Sequence, residues 1–162
     1  MTLEPEDLHH LNAAYGYCDL KMYGDATEEL EKISTECREL LEVVGARLAI
    51  CQGLRKWDLT RDMAKELAQS DPENVQWWIS WAYATRRAES IEAAKTILLE
   101  AVKQHPGEPL IHYNLACYEC QLGDLETAKG YLKKAFKLQS GYRKIAADDE
   151  DLIPLRAMIR GE

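Results

Sequence analysis

A single spacing constrains this sequence more than any other feature. Asp71–Pro72 and His105–Pro106 punctuate it at an interval of about 34 residues, and residues of matched size recur on the same interval. Small residues stand at Ala14, Ala82 and Ala116, with Leu48 as the exception. Three more series run Ala26, Thr60, Ala94, Ala128; Leu30, Ala64, Leu98, Leu132; and Ile33, Leu67, Ala101, Ala135. Bulky residues recur at Tyr23, Trp57, Ile91 and Leu125. Within a unit the pattern is helical: Leu125, Ala128, Leu132, Ala135 and Phe136 fall on one helical face, after a Gly123–Asp124 break that suits a helix N-cap. Alternating strand patterns are missing from the sequence. Small residues let two antiparallel helices cross closely, and large ones fill the space between one pair and the next. A lone pair cannot bury its apolar face, so neighbours must stack.

The period divides the 162 residues into a lead-in (1–6), four units (7–40, 41–74, 75–108 and 109–142) and a tail (143–162). The units resemble the tetratricopeptide repeat (TPR), a helix–turn–helix of about the same length. The fourth resembles it most, with Leu115–Ala116, Gly123–Asp124, Ala128 and Ala135 in the family's places. The third matches through Trp78, Trp81–Ala82, Ala94, Ala101 and Pro106, and the first through Ala14, Tyr17, Ala26 and Ile33, with Arg38 where the family often has Pro. In the second, Arg47–Leu48 and Thr60 depart from the pattern. The resemblance implies an all-α, right-handed α-solenoid of four helix pairs. The tail, with GYRKIAADDEDLIPLR, resembles the segment that follows the last repeat in small bacterial TPR proteins. Residues 142–147 are expected to extend the last helix. Asp148–Asp151 should cap a new helix whose apolar side, Leu152, Ile153, Leu155 and Ile159, covers the array's end.

Proteins of this family bind peptides or partner proteins along the concave face formed by the first helix of each pair. Carried onto this sequence, the groove positions that resemblance implies are Leu8, Leu11, Asn12, Tyr15 and Cys18, then Glu42, Gly45, Ala46, Ala49 and Gln52. Gln76, Ile79, Ser80, Tyr83, Arg86 and Arg87 follow in the third unit, and Leu110, Tyr113, Asn114, Cys117, Cys120 and Gln121 in the fourth. Tyr15, Tyr83 and Tyr113 offer contact area at low entropic cost, and Arg86 and Asn114 can fix a carboxylate or a backbone. The clamp that grips acidic EEVD-type chaperone tails needs Lys at the fifth position and Asn at the ninth. Leu11, Gly45, Ile79 and Tyr113 fill the first set, and Tyr15, Ala49, Tyr83 and Cys117 the second, so no such binding is expected.

Composition narrows the function classes. A net charge of −8 argues against nucleic acid or an anionic membrane as partner, and five more acids than bases fall in the first unit alone. Five cysteines, an odd number, suit reduced thiols, and the first twelve residues lack an export signal, so a cytoplasmic location is expected. Cys117-x-x-Cys120 lies mid-helix by the repeat register and lacks the further ligands a zinc site requires. His9 and His10 point to different helix faces. No phosphate loop, GxSxG or HExxH motif is present, so neither catalysis nor a cofactor is expected. Trp78 and Trp81 fall on the packed side, while Trp77, if exposed, is a candidate interface anchor. The expected function is a non-enzymatic scaffold or adaptor that binds a protein or peptide segment, with weak self-association compatible with the sequence. Two alternatives stand beside it: a dedicated chaperone for a secreted or aggregation-prone client, and a metal or thiol redox protein acting through Cys117 and Cys120.

Overall fold

The second helix of each pair starts at Tyr23, Trp57, Ile91 or Leu125, the members of the bulky series, at one constant step. In the computed structural model, which describes residues 2–161, the pairs are α1 (Pro5–Asp19) with α2 (Tyr23–Lys32), α3 (Leu41–Gly53) with α4 (Trp57–Ser70), α5 (Val75–Ala88) with α6 (Ile91–Gln104), and α7 (Pro109–Leu122) with α8 (Leu125–Leu138). A 3-10 turn, Thr35–Cys37, joins the first pair to the second. The chain ends in α9 (Tyr142–Asp148), a 3-10 segment Glu150–Leu155, and α10 (Arg156–Arg160). No strand occurs among the described residues. Met1 and Glu162, the ends of the expected lead-in and tail, lie outside them.

Local chemistry sets the boundaries. Asn74, Ser90 and Asp124 cap α5, α6 and α8 through side-chain oxygens that accept backbone N–H groups. Pro5 and Pro109 occupy first turns, where a missing N–H costs nothing. The turn inside a pair takes the left-handed conformation at Lys21 (φ 59°), Arg55 (φ 58°) and Gly123 (φ 91°), again on the repeat grid. Only at Gly123 is that conformation free of steric cost. Arg38, in the place of the family's proline, donates from Nε to the Ile33 carbonyl and from Nη2 to that of Glu31, closing the end of α2.

Each pair is an antiparallel hairpin, and each stacks on the next through its second helix, with α1 meeting α3 equally at the first junction. Ala14, Ala26, Ala82, Ala94, Ala116 and Ala128 are fully buried at the crossings. Thr60 is equally buried in the alanine series, its hydroxyl satisfied by the Lys56 carbonyl at 2.9 Å. The inter-pair turns repeat one another chemically. Trp78 Nε1 donates to the Pro72 carbonyl at 3.0 Å, and His112, one repeat further on, places Nε2 2.7 Å from the Pro106 carbonyl. Asp7 is buried on α1 and accepts both Ser34 N and Ser34 Oγ, at 2.8 and 2.6 Å. Those bonds hold its carboxyl below the usual carboxylate range.

The buried core falls into three clusters along the stack. One covers α1, α2 and α3 as far as Ile50, through Leu11, Ala14, Leu30, Ile33 and Val43. A much larger one runs from Ala68 on α4 to the tail. Between them a small cluster of Leu48, Ala64 and Leu67 spans α3 and α4, and Trp77 and Trp81 pack against both it and the large cluster. The small cluster falls in the unit that departs most from the repeat pattern.

The tail differs from expectation in two respects: Ile153, expected on the covered side, is exposed, and the end of α8 comes early. Residues 142–147 do not prolong α8: the helix stops at Leu138, and after Gln139–Gly141 the chain begins the separate α9. The 3-10 segment then packs on α7, with Leu152, Leu155 and Ile159 buried in the large cluster. Covered by α8 on one side and the tail on another, α7 is buried over almost its whole length.

Candidate functional site

The first helices of the pairs, α1, α3, α5 and α7, supply the groove positions expected from the repeat register. The groove they form is divided into an open half and a filled half.

The open half is a cleft of about 870 Å³ bordered by α1, α3 and α5. Tyr15 and Cys18 come from α1, Gly45, Ala49 and Gln52 from α3, and Ser80, Tyr83 and Arg87 from α5. Trp57 meets Tyr83 edge to face, with ring centroids 5.7 Å apart. The Arg87 guanidinium lies 3.4 Å from the Tyr83 ring centroid and 5.1 Å from that of Trp57, and Nη1 donates to the Tyr83 carbonyl. This stacking aims the cation while leaving most of its donors unused. Trp77 forms part of the floor, with its Nε1 bonded to Asp71 Oδ2 at 3.2 Å. Its ring approaches α3 so closely that a Cβ at position 45 would lie 2.8 Å from it, which is why only glycine fits there. Arg55, in the left-handed turn, also lines the cleft.

The filled half is occupied by the chain's own tail. Arg86 on α5 grips Asp151 with two parallel bonds, Nη1 to Oδ2 at 2.5 Å and Nη2 to Oδ1 at 2.8 Å. Tyr113 on α7 donates to Asp149 Oδ2 at 2.5 Å, and Gln121 Nε2 donates to the Asp151 carbonyl at 2.9 Å. Asp149 Oδ1 accepts the Asp151 N–H, so the acidic turn is fixed internally as well. Burial, then the bond to Asp149, pushes the Tyr113 phenol well above its ordinary range, and burial pushes Tyr118 up to about 12.

The residues picked out by sequence therefore separate. Tyr15 and Tyr83 face the open cleft. Arg86, Tyr113 and Cys117 hold the tail. Leu11 is buried in the N-terminal core and Ile79 is half-buried against the large cluster, both packed into the fold rather than presented to the groove. Asn12 and Gln76 are outside the cleft lining, and Asn114 is half-buried on α7. Tyr23, Trp57 and Arg55 line the cleft without having been anticipated. A signal for two of them was present: the bulky series reads Tyr, Trp, Ile, Leu, so its two aromatic members fall beside the open half.

Cys117 Sγ and carboxylate oxygens of Asp149 and Asp151 lie within 4.8 Å of one another, a spacing compatible with metal ligation. Both carboxylates are already committed, to Tyr113 and to Arg86. The Cys117 thiol is pushed far up, chiefly by burial and then by the two aspartates, and Cys120 moves the same way. These are properties of protonated structural thiols. All five cysteines are unpaired.

No family model and no curated protein matches the chain. Solved structures do. MamA 41-end from Desulfovibrio magneticus RS-1 superposes with a TM-score of 0.72 over 83% of this chain and 76% of that one, at 16% identity. MamA of MSR-1 gives 0.67 over 82% and 76%, at 21% identity, and MamA of AMB-1 gives 0.65 over 82% and 72%, at 22%. The likeness is one of fold: these are TPR-like α-solenoids, and so is this chain. No helix among the described residues is long and apolar enough to cross a membrane.

Proposed function

We propose that this protein is a non-enzymatic interaction module that holds a segment of a partner protein in the cleft between α1, α3 and α5. One observation carries the reading: the open half of the concave groove presents Tyr15, Tyr23, Trp57, Trp77 and Tyr83 around about 870 Å³ of space, with Arg55 and Arg87 at its border. Rigid aromatic side chains flanked by arginine are the composition in which binding energy concentrates at protein interfaces. TPR-like solenoids as a class use this face for partners, which supports the scaffold reading over catalysis. The other concave half is spent on the chain's own tail, so the partner segment is one that spans two to three units.

The test is selection of binding peptides from a displayed library against the full chain, followed by titration on Tyr83→Ala and Trp57→Ala. Each substitution is expected to weaken the selected peptides ~10-fold or more, the scale of an aromatic anchor. Peptides that bind equally well to both variants would remove the cleft as the site.

A further inference from the structure

We infer that the open cleft is a vacant counterpart of the subsite filled by the tail, and that it takes a partner segment of the tail's own chemistry: carboxylates at alternate positions followed by a branched apolar side chain. The inference rests on the cleft being a binding site, and it adds what the ligand must carry.

The argument is the repeat itself. The tail is held by Arg86 on α5 and by Tyr113, Cys117 and Gln121 on α7. One period earlier, the same positions are Gln52 on α3 and Ile79, Tyr83 and Arg87 on α5. Gln52, Tyr83 and Arg87 all line the open cleft. The polar pair is thus kept with its members exchanged. At the tail, a guanidinium takes the Asp151 side chain and an amide takes the Asp151 carbonyl. In the cleft the amide stands on the earlier helix and the guanidinium on the later one. Both arginines are oriented by aromatic faces, Arg86 at 5.4 Å from the Tyr118 centroid and Arg87 at 3.4 Å from that of Tyr83.

Charge points the same way. Arg55 and Arg87 line the cleft, neither has a carboxylate partner among the described residues, and Asp19 is the one acid in the lining. A locally cationic cleft in a chain of net charge −8 favours an acidic ligand. The apolar requirement follows from Leu152, which the tail buries completely beside its carboxylates, and from the aromatic walls that wait in the cleft.

A fluorescent peptide with the sequence of residues 147–156, ADDEDLIPLR, titrated by anisotropy against the full chain, tests this directly. Saturable binding at ~100 μM or tighter is expected, weakened about ten-fold by R87E, by R55E and by Asp→Asn replacement in the peptide, the size of one lost charge-assisted contact. Circular dichroism melting confirms that the variants fold. Affinity lost in R86A but kept in R87E would mean that the peptide exchanges with the resident tail, and would overturn the inference. Self-association abolished by R87E, without peptide binding, would assign the cleft to a second copy and overturn it too. If library-selected neutral peptides bind through Tyr83 while the acidic peptide does not, the cleft remains a binding site and the acidic requirement falls. If neither class binds, both readings fall.

Discussion

Replacing Arg86 by alanine is expected to loosen the tail while leaving the first two helix pairs untouched. The Arg86–Asp151 contact consists of two charge-assisted bonds at 2.5 and 2.8 Å between side chains about a quarter exposed. A fully exposed ion pair contributes ~1 kcal/mol or less, and hydrogen bonds to charged groups in protected sites ~1.5–3 kcal/mol. The quarter exposure places this bidentate pair near ~2 kcal/mol, which corresponds to a ~30-fold change in an opening equilibrium. Leu152, Leu155 and Ile159 remain buried in the variant and keep the tail docked for most of the time. Hydrogen exchange resolves the effect. Amides of the 3-10 segment and α10 should exchange roughly 30-fold faster, while those of α1–α4 keep their rates, because contacts in a solenoid are local. Unchanged exchange in the tail, or acceleration spread evenly over all pairs, would refute the reasoning.

Ala94→Leu inserts extra side-chain carbons into a fully buried helix crossing and should lower stability by ~1–3 kcal/mol, read from the urea midpoint. Asp7→Asn should flatten the acid limb of the stability curve. The Asp7 carboxyl is held below its unfolded value by Ser34, so its contribution is complete above the usual carboxylate range and disappears as pH falls through the folded value; melting temperatures measured from neutral pH down into the acid range check this. Iodoacetamide at neutral pH should label half-buried Cys18 in the native protein and spare Cys117 and Cys120, with peptide mapping as the readout.

How far the sequence carried depended on the range of the interactions involved. The starts at Tyr23, Trp57, Ile91 and Leu125 were visible because each is set by residues within one or two helical turns, repeated four times. The groove positions followed from the same register, so Tyr15, Tyr83 and Arg87 could be named in advance. What was hidden is the fate of Arg86 and Tyr113, whose partners lie 65 and 36 positions away in a segment with no periodic counterpart. Nothing local distinguishes an acidic turn that caps a helix from one that reaches back into a groove. The end of α8 was less plain: Lys137 to Lys144 carries no proline, and its break signal is confined to Ser140–Gly141, just after α8 stops at Leu138. Thr60 and Leu48, by contrast, marked the second unit as irregular, and there a separate small buried cluster forms.

The cleft spans the division between the buried clusters, with Tyr15 and Cys18 on α1 and Tyr83 and Arg87 on α5. Its walls therefore belong to three different repeat units, which otherwise touch only their immediate neighbours. A segment seated between them would contact α1, α3 and α5 at once, and would make the first three units unfold together rather than one before the other.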